Sequence, residues 1–119
     1  MENDSTKYTI QKNSLQIGET VINFEHIIKE VLKVGDMLIL LLIKQDGYLP
    51  AENVFGVSLH EKKIKWQIAK LKYETGEICP FVGMKFANDQ LYLNNWCDVY
   101  LIVNPFTGEI LEKSAPAKY

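Results

Sequence analysis

Seven apolar residues stand in unbroken succession at 37–43, Met-Leu-Ile-Leu-Leu-Leu-Ile, between Asp36 and Lys44. A strand sends alternate side chains to opposite faces, so a run with no polar member leaves neither face for water. Gly35-Asp36 before it and Asp46-Gly47 after it supply turns. The run is therefore expected to be a strand covered on both sides, with the other elements laid over it. It is far short of the roughly 20 apolar residues needed to cross a bilayer, so no membrane is expected as a partner.

A chain of 119 residues, 47% hydrophobic and 24% charged, has the size and composition of one globular domain that needs no metal or disulfide to hold its core. We expect that domain over residues 7–113, with flexible polar tails at 1–6 and 114–119. The first residues, Met1-Glu2-Asn3-Asp4, contain no basic region and lead into no apolar one, so the expected location is the cytoplasm.

The formal net charge is −2, and all 13 basic residues are lysine. Arginine is the usual bidentate reader of phosphate and guanine, and its absence argues against nucleic acid as a partner. The one dense basic cluster, Lys62-Lys63-Ile64-Lys65 after Glu61, reads as a solvated hairpin turn. Cys79 and Cys97 form no Cys-x-x-Cys pair and read as free thiols, and His26 and His60 stand at no zinc-binding spacing. No metal and no other cofactor is expected.

Along the chain, apolar alternation and turn signals mark about ten short strands. Residues 7–17 read as two strands or a hairpin broken at Asn13-Ser14, and 20–24 as the next strand. Residues 45–52 form a turn-rich loop. Then come strands at 53–59 and 64–68, the latter with Ile64, Trp66 and Ile68 on one face, an irregular stretch at 69–80, and strands at 81–87, 91–96, 99–103 and 109–113. Asn104-Pro105-Phe106-Thr107-Gly108 is a strong turn signal. Between 24 and 34 the pattern is double. Phe24, Ile27, Ile28, Val31 and Leu32 fit an amphipathic helix, capped by Asn23 and ended by Gly35, whereas Ile and Val favour a strand over 27–34 turning at Gly35-Asp36. The fold expected is a single-domain all-β antiparallel meander, sandwich or curled sheet; the alternative is α+β with one helix at 24–33.

The second half echoes the middle. Asp36, an apolar strand, Asn53-Val54-Phe55-Gly56-Val57, a turn and Lys63-Ile64-Lys65-Trp66 are followed by Asp89, a strand, Asp98-Val99-Tyr100-Leu101-Ile102, Pro105-Phe106-Thr107-Gly108 and Glu109-Ile110-Leu111. This pattern resembles the blade repeat of quinoprotein-type β-propellers in two incomplete copies, 36–68 and 89–113. The resemblance implies antiparallel meanders, and on that ground we expect a strand, not a helix, at 27–34. It carries over no cofactor or substrate residue.

Chemistry is sparse. His26 lies beside Glu25 and near Glu30, and Cys97-Asp98 follows Trp96, but neither group has the partnered geometry that acid–base or nucleophilic work requires. Trp66 and Trp96 read as core. The residues placed on loops are Tyr48, Tyr73 and Phe106, with the carboxylates Asp46, Glu52, Glu74 and Glu77 nearby in sequence. Aromatics and carboxylates on loops of a small acidic β domain suit a basic protein partner. We therefore expect a non-enzymatic binding domain, similar in general habit to the immunity proteins that bind and neutralise a cognate toxin domain. A self-assembling scaffold domain, possible as a homodimer through open sheet edges, and a small hydrolase with a His/Cys site are the alternatives.

Overall fold

A computed structural model describes residues 7–46, 52–68, 80–95 and 100–113. The expected tails, and with them Tyr48, Tyr73, Glu74, Glu77, Cys79, Trp96 and Cys97, lie outside the described residues. Among the described residues there are eleven strands and no helix: β1 (Tyr8–Gln11), β2 (Ser14–Ile17), β3 (Thr20–Asn23), β4 (Ile27–Val34), β5 (Met37–Ile43), β6 (Val54–Ser58), β7 (Lys63–Gln67), β8 (Phe81–Ala87), β9 (Gln90–Asn95), β10 (Tyr100–Val103) and β11 (Ile110–Lys113). They make three antiparallel sheets, β1-β2-β3, β4-β5-β6-β7 and β8-β9-β10-β11, in which each strand pairs only with its neighbours in sequence. The fold is all-β, and 27–34 is a strand. The two blade-like segments fall in the two different four-stranded sheets.

The apolar run does what its composition demands. Met37, Ile39 and Leu41 of β5 enter one core with Phe81, Leu91, Leu93, Leu101 and Val103 of the last sheet. Leu38, Leu40 and Leu42 enter a second core with Leu15 and Ile17 of the first sheet. The middle sheet is thus the filling between two outer sheets, and these six side chains of β5 are all buried. Burying each of them contributes about 1.5–3 kcal/mol over exposure, which makes β5 the seed of both cores.

The edge strands of both four-stranded sheets are bulged. The register shifts by one residue at Lys29 in β4, Lys65 in β7, Val82 in β8 and Leu111 in β11. A one-residue slip turns every later side chain to the other face. This corrects the expectation for 64–68: Trp66 pairs with Gly56 and is buried with Ile68 in the core against the last sheet, but Ile64 pairs with Val57 on the opposite face and is exposed. The basic cluster is the expected hairpin turn, with Lys62 at φ 58° and Lys65 Nζ donating to both Glu61 oxygens at 2.9 and 3.0 Å. The bond from Lys65, helped by Lys63, holds the Glu61 carboxyl below the usual carboxylate range.

Two side chains join the middle sheet to the last. Trp66 lays its indole over Gly56, donates from Nε1 to the Pro105 carbonyl at 2.9 Å, and rests against Gly108. A Cβ at Gly56 would stand 2.1 Å from Trp66 Nε1. Gly56→Ala is therefore expected to destabilise the domain by at least the ~1–3 kcal/mol of ordinary overpacking, measurable in a urea melt. At the other end of β6, Asn53 is buried; its Nδ2 donates to the carbonyls of Leu42 (3.1 Å) and Phe81 (2.8 Å), and its Oδ1 accepts from the Phe81 N–H (3.1 Å).

Candidate functional site

Three hairpin turns meet at the end of the molecule where β5 begins: β4–β5 at Gly35-Asp36, β8–β9 at Asn88-Asp89 and β10–β11 at 104–109. Each is fixed by its own chemistry. Asn88 and Asp89 both take positive φ, 52° and 62°, the tight two-residue hairpin form that Asn and Asp tolerate best after glycine. In the third turn Asn104 Oδ1 accepts from the Phe106 N–H at 2.8 Å, and the Asn104 carbonyl accepts from Gly108 N–H at 2.8 Å. Trp66 holds that turn from below through Pro105. The Phe106 ring is thereby presented on a braced loop, lying over Gly35, where a Cβ would stand 3.7 Å from the ring.

Between these turns lies a groove of about 390 Å³ lined by Val34, Phe86, Ile102, Val103, Pro105, Phe106 and Leu111, with Asp89, Gln90 and Asn104 as its polar members. Phe86 is 39% exposed, Phe106 54% and Leu111 56%, half of the large exposed apolar side chains among the described residues. A braced apolar concavity with a carboxylate at its rim can bury an apolar side chain and attract a cation beside it.

Of the residues singled out from the sequence, Phe106 is in this groove. Asp46 is exposed just beyond the opposite end of β5, and Glu52 is half-buried at that same end, at φ 55°, with its carbonyl accepting from Gln67 Nε2 at 2.9 Å. Phe106 and these two carboxylates therefore do not share a face. Phe86 and Leu111 were not legible as site residues. Phe86 reads as one more apolar strand position. Leu111 is exposed because the bulge in β11 falls on it, and the one sequence signal was two adjacent apolar residues, Ile110-Leu111, in a short terminal strand.

The two histidines are apart as well, whereas His26 keeps Glu25 beside it. His26 lines a second, polar concavity of about 260 Å³ with Lys12, Asn13, Glu25, Ile27 and Gln45, at the Asp46 end. His60 lies at the groove end, its backbone N–H bonded to Asp36 Oδ2 at 3.2 Å. Asp36 also accepts from Ser58 Oγ at 2.9 Å, and Ser58 Oγ in turn accepts from Glu61 N–H, so this cluster ties two turns together. Among the described residues no three His, Cys, Asp or Glu side chains stand close enough to hold a metal ion, and no helix is long and apolar enough to cross a membrane.

No curated protein and no solved structure matches the chain. A family model does match, over residues 5–115, a span that takes in all eleven strands, both cores and the groove, and the chain accordingly belongs to the family described as a domain of unknown function, DUF7957.

Proposed function

We propose that this domain acts by binding a protein partner in the groove between Phe86, Phe106 and Leu111, and, in the sharper form of the same reading, that it is an immunity protein whose partner is a basic toxin domain. The gathering of three exposed apolar side chains, Phe106 on a braced turn with Phe86 and Leu111 on the strands beside it, carries the proposal. A monomer gains little in stability from a Phe106 ring left more than half exposed on a loop so thoroughly fixed by hydrogen bonds; a partner gains a preorganised anchor. The rim carboxylate of Asp89, and the chain's net charge of −2, favour a cationic partner surface.

The test pairs capture with variants. Wild-type protein is expected to retain one basic protein stoichiometrically from the source cell, and to restore growth when that protein is expressed as a toxin. Phe106→Ser and Leu111→Ser, on exposed positions, are expected to leave the melting temperature within a few degrees while weakening the complex by about thirty-fold or more each, the loss of a hot spot of ~2 kcal/mol. A complex indifferent to both substitutions defeats the groove as the site, and a captured protein whose expression is harmless defeats the immunity reading.

A further inference from the structure

The six sheet edges are not built alike. The four edges of the two four-stranded sheets each combine a bulge with lysine: Lys29 and Lys33 on β4, Lys63 and Lys65 on β7, Lys85 on β8 and Lys113 on β11. Bulges and lysines are two of the devices that stop a sheet from pairing with a foreign strand. The first sheet has neither. Its edges, Tyr-Thr-Ile-Gln in β1 and Thr-Val-Ile-Asn in β3, are regular in register and carry no charge.

These two edges differ in turn. The β1 edge is met by β4 at its end, where the Ile28 N–H donates to the Lys12 carbonyl at 2.9 Å. For β3 the bond from Phe24 N–H to Asn13 carbonyl, 2.8 Å, fixes the phase of the antiparallel ladder. Hydrogen-bonded and non-bonded pairs alternate, so Ile22 and Thr20 spend their backbone groups on β2, and Val21 and Asn23 turn theirs outward. No described strand lies beyond them. The Val21 side chain is 51% exposed on the outer face of the same strand.

We propose that β3 pairs antiparallel with β3 of a second copy of this chain, about a two-fold axis through Val21, fusing two three-stranded sheets into one of six strands. The register follows from the faces. Directly opposed residues of an antiparallel pair lie on the same side of a sheet, so Val21 must meet an outward residue, and with the axis at Val21 it meets itself. Thr20 then faces Ile22 of the copy on the inner side, where Ile22 already packs against the second core, and Glu19 faces Asn23. No like charges oppose one another in this register. The seam is only four residues a side, which buries well under the ~1,200–2,000 Å² of a standard stable interface, so the dimer is reversible. It shares no residue with the groove and stands or falls apart from the binding proposal.

Sedimentation of the untagged full chain from about 10 µM to about 1 mM is expected to show a rise from monomer to dimer mass, the concentration range in which an interface below standard size associates. Val21→Lys is expected to hold the chain monomeric throughout, and Thr9→Lys, on β1, to leave the dimer intact. In a Cys79→Ser, Cys97→Ser background, V21C is expected to oxidise to a covalent dimer, because a residue on the axis faces its twin at about 5.5 Å between Cα atoms, within disulfide reach. T9C should not. Monomer mass at the highest concentration with no V21C cross-link overturns the proposal, as does a dimer that Val21→Lys leaves unchanged.

Discussion

Trp66→Ala is expected to lower the unfolding free energy by about 3–5 kcal/mol, the range for deleting a buried aromatic side chain. That is a large part of the ~5–15 kcal/mol by which a domain of this size is stable, and near 60 °C it corresponds to a fall in melting temperature of about 10–20 °C. The loss falls at a joint. The indole fills the space left by Gly56 and Gly108, and its N–H is the bond that fastens β7 to the β10–β11 turn. Trp66→Phe keeps most of the apolar contact but drops the bond to Pro105, and a smaller loss of about 1–2 kcal/mol is expected. Amide exchange in residues 104–109 should quicken in both variants, because the turn loses its support. A Trp66→Ala loss below about 1 kcal/mol would show that the two sheets are held elsewhere.

The second large effect is expected at Asn53. Replacing it by Leu keeps the volume but strands the Phe81 N–H and the carbonyls of Phe81 and Leu42 in the interior. An unpaired buried polar group costs about 1–3 kcal/mol, so a loss of about 2–4 kcal/mol is expected in urea unfolding at pH 7. Asn53→Asp separates charge from shape. It retains the acceptor for Phe81 N–H but aims a carboxylate at two carbonyl oxygens, which raises the folded-state pKa of the new carboxyl above its unfolded value. The folded state then binds the extra proton, so the deficit of the Asp variant should shrink as the pH falls through that raised pKa, while that of the Leu variant stays constant relative to wild type. Parallel pH profiles for the two variants would contradict the geometry at Asn53.

The fold was largely legible, and the reasons are local. A run without a polar member can only be a strand wet on neither face, and 37–43 is that strand. Turn residues located nearly every hairpin. The helical spacing of Phe24, Ile27, Ile28, Val31 and Leu32 has a physical origin that only the register shows. Val31 and Ile28 face one core and Leu32 and Val34 the other, and the bulge at Lys29 slips the alternation by one, so a two-faced strand imitates a helix period. The same slip at Lys65 turned Ile64 outward. The joints were not legible, because the partners of Asn53 lie 11 and 28 residues away and the acceptor of Trp66 lies 39 away. The groove was hidden for a related reason, since Phe86, Phe106 and Leu111 come from three positions that only the stacking of turns brings together.

The layering also sets a hazard during synthesis. Once β1 to β7 have left the ribosome, the first sheet can cover Leu38, Leu40 and Leu42, but the face bearing Met37, Ile39 and Leu41 has no lid until β8 to β11 are made. At ~5–20 residues per second that interval lasts roughly 2–10 s. Through it the nascent chain holds an uncharged, proline-free apolar strand with one side open, the type of segment from which cross-β aggregates start. Slow translation of the last third is therefore expected to reduce soluble yield, and a chaperone that shields apolar strands to recover it.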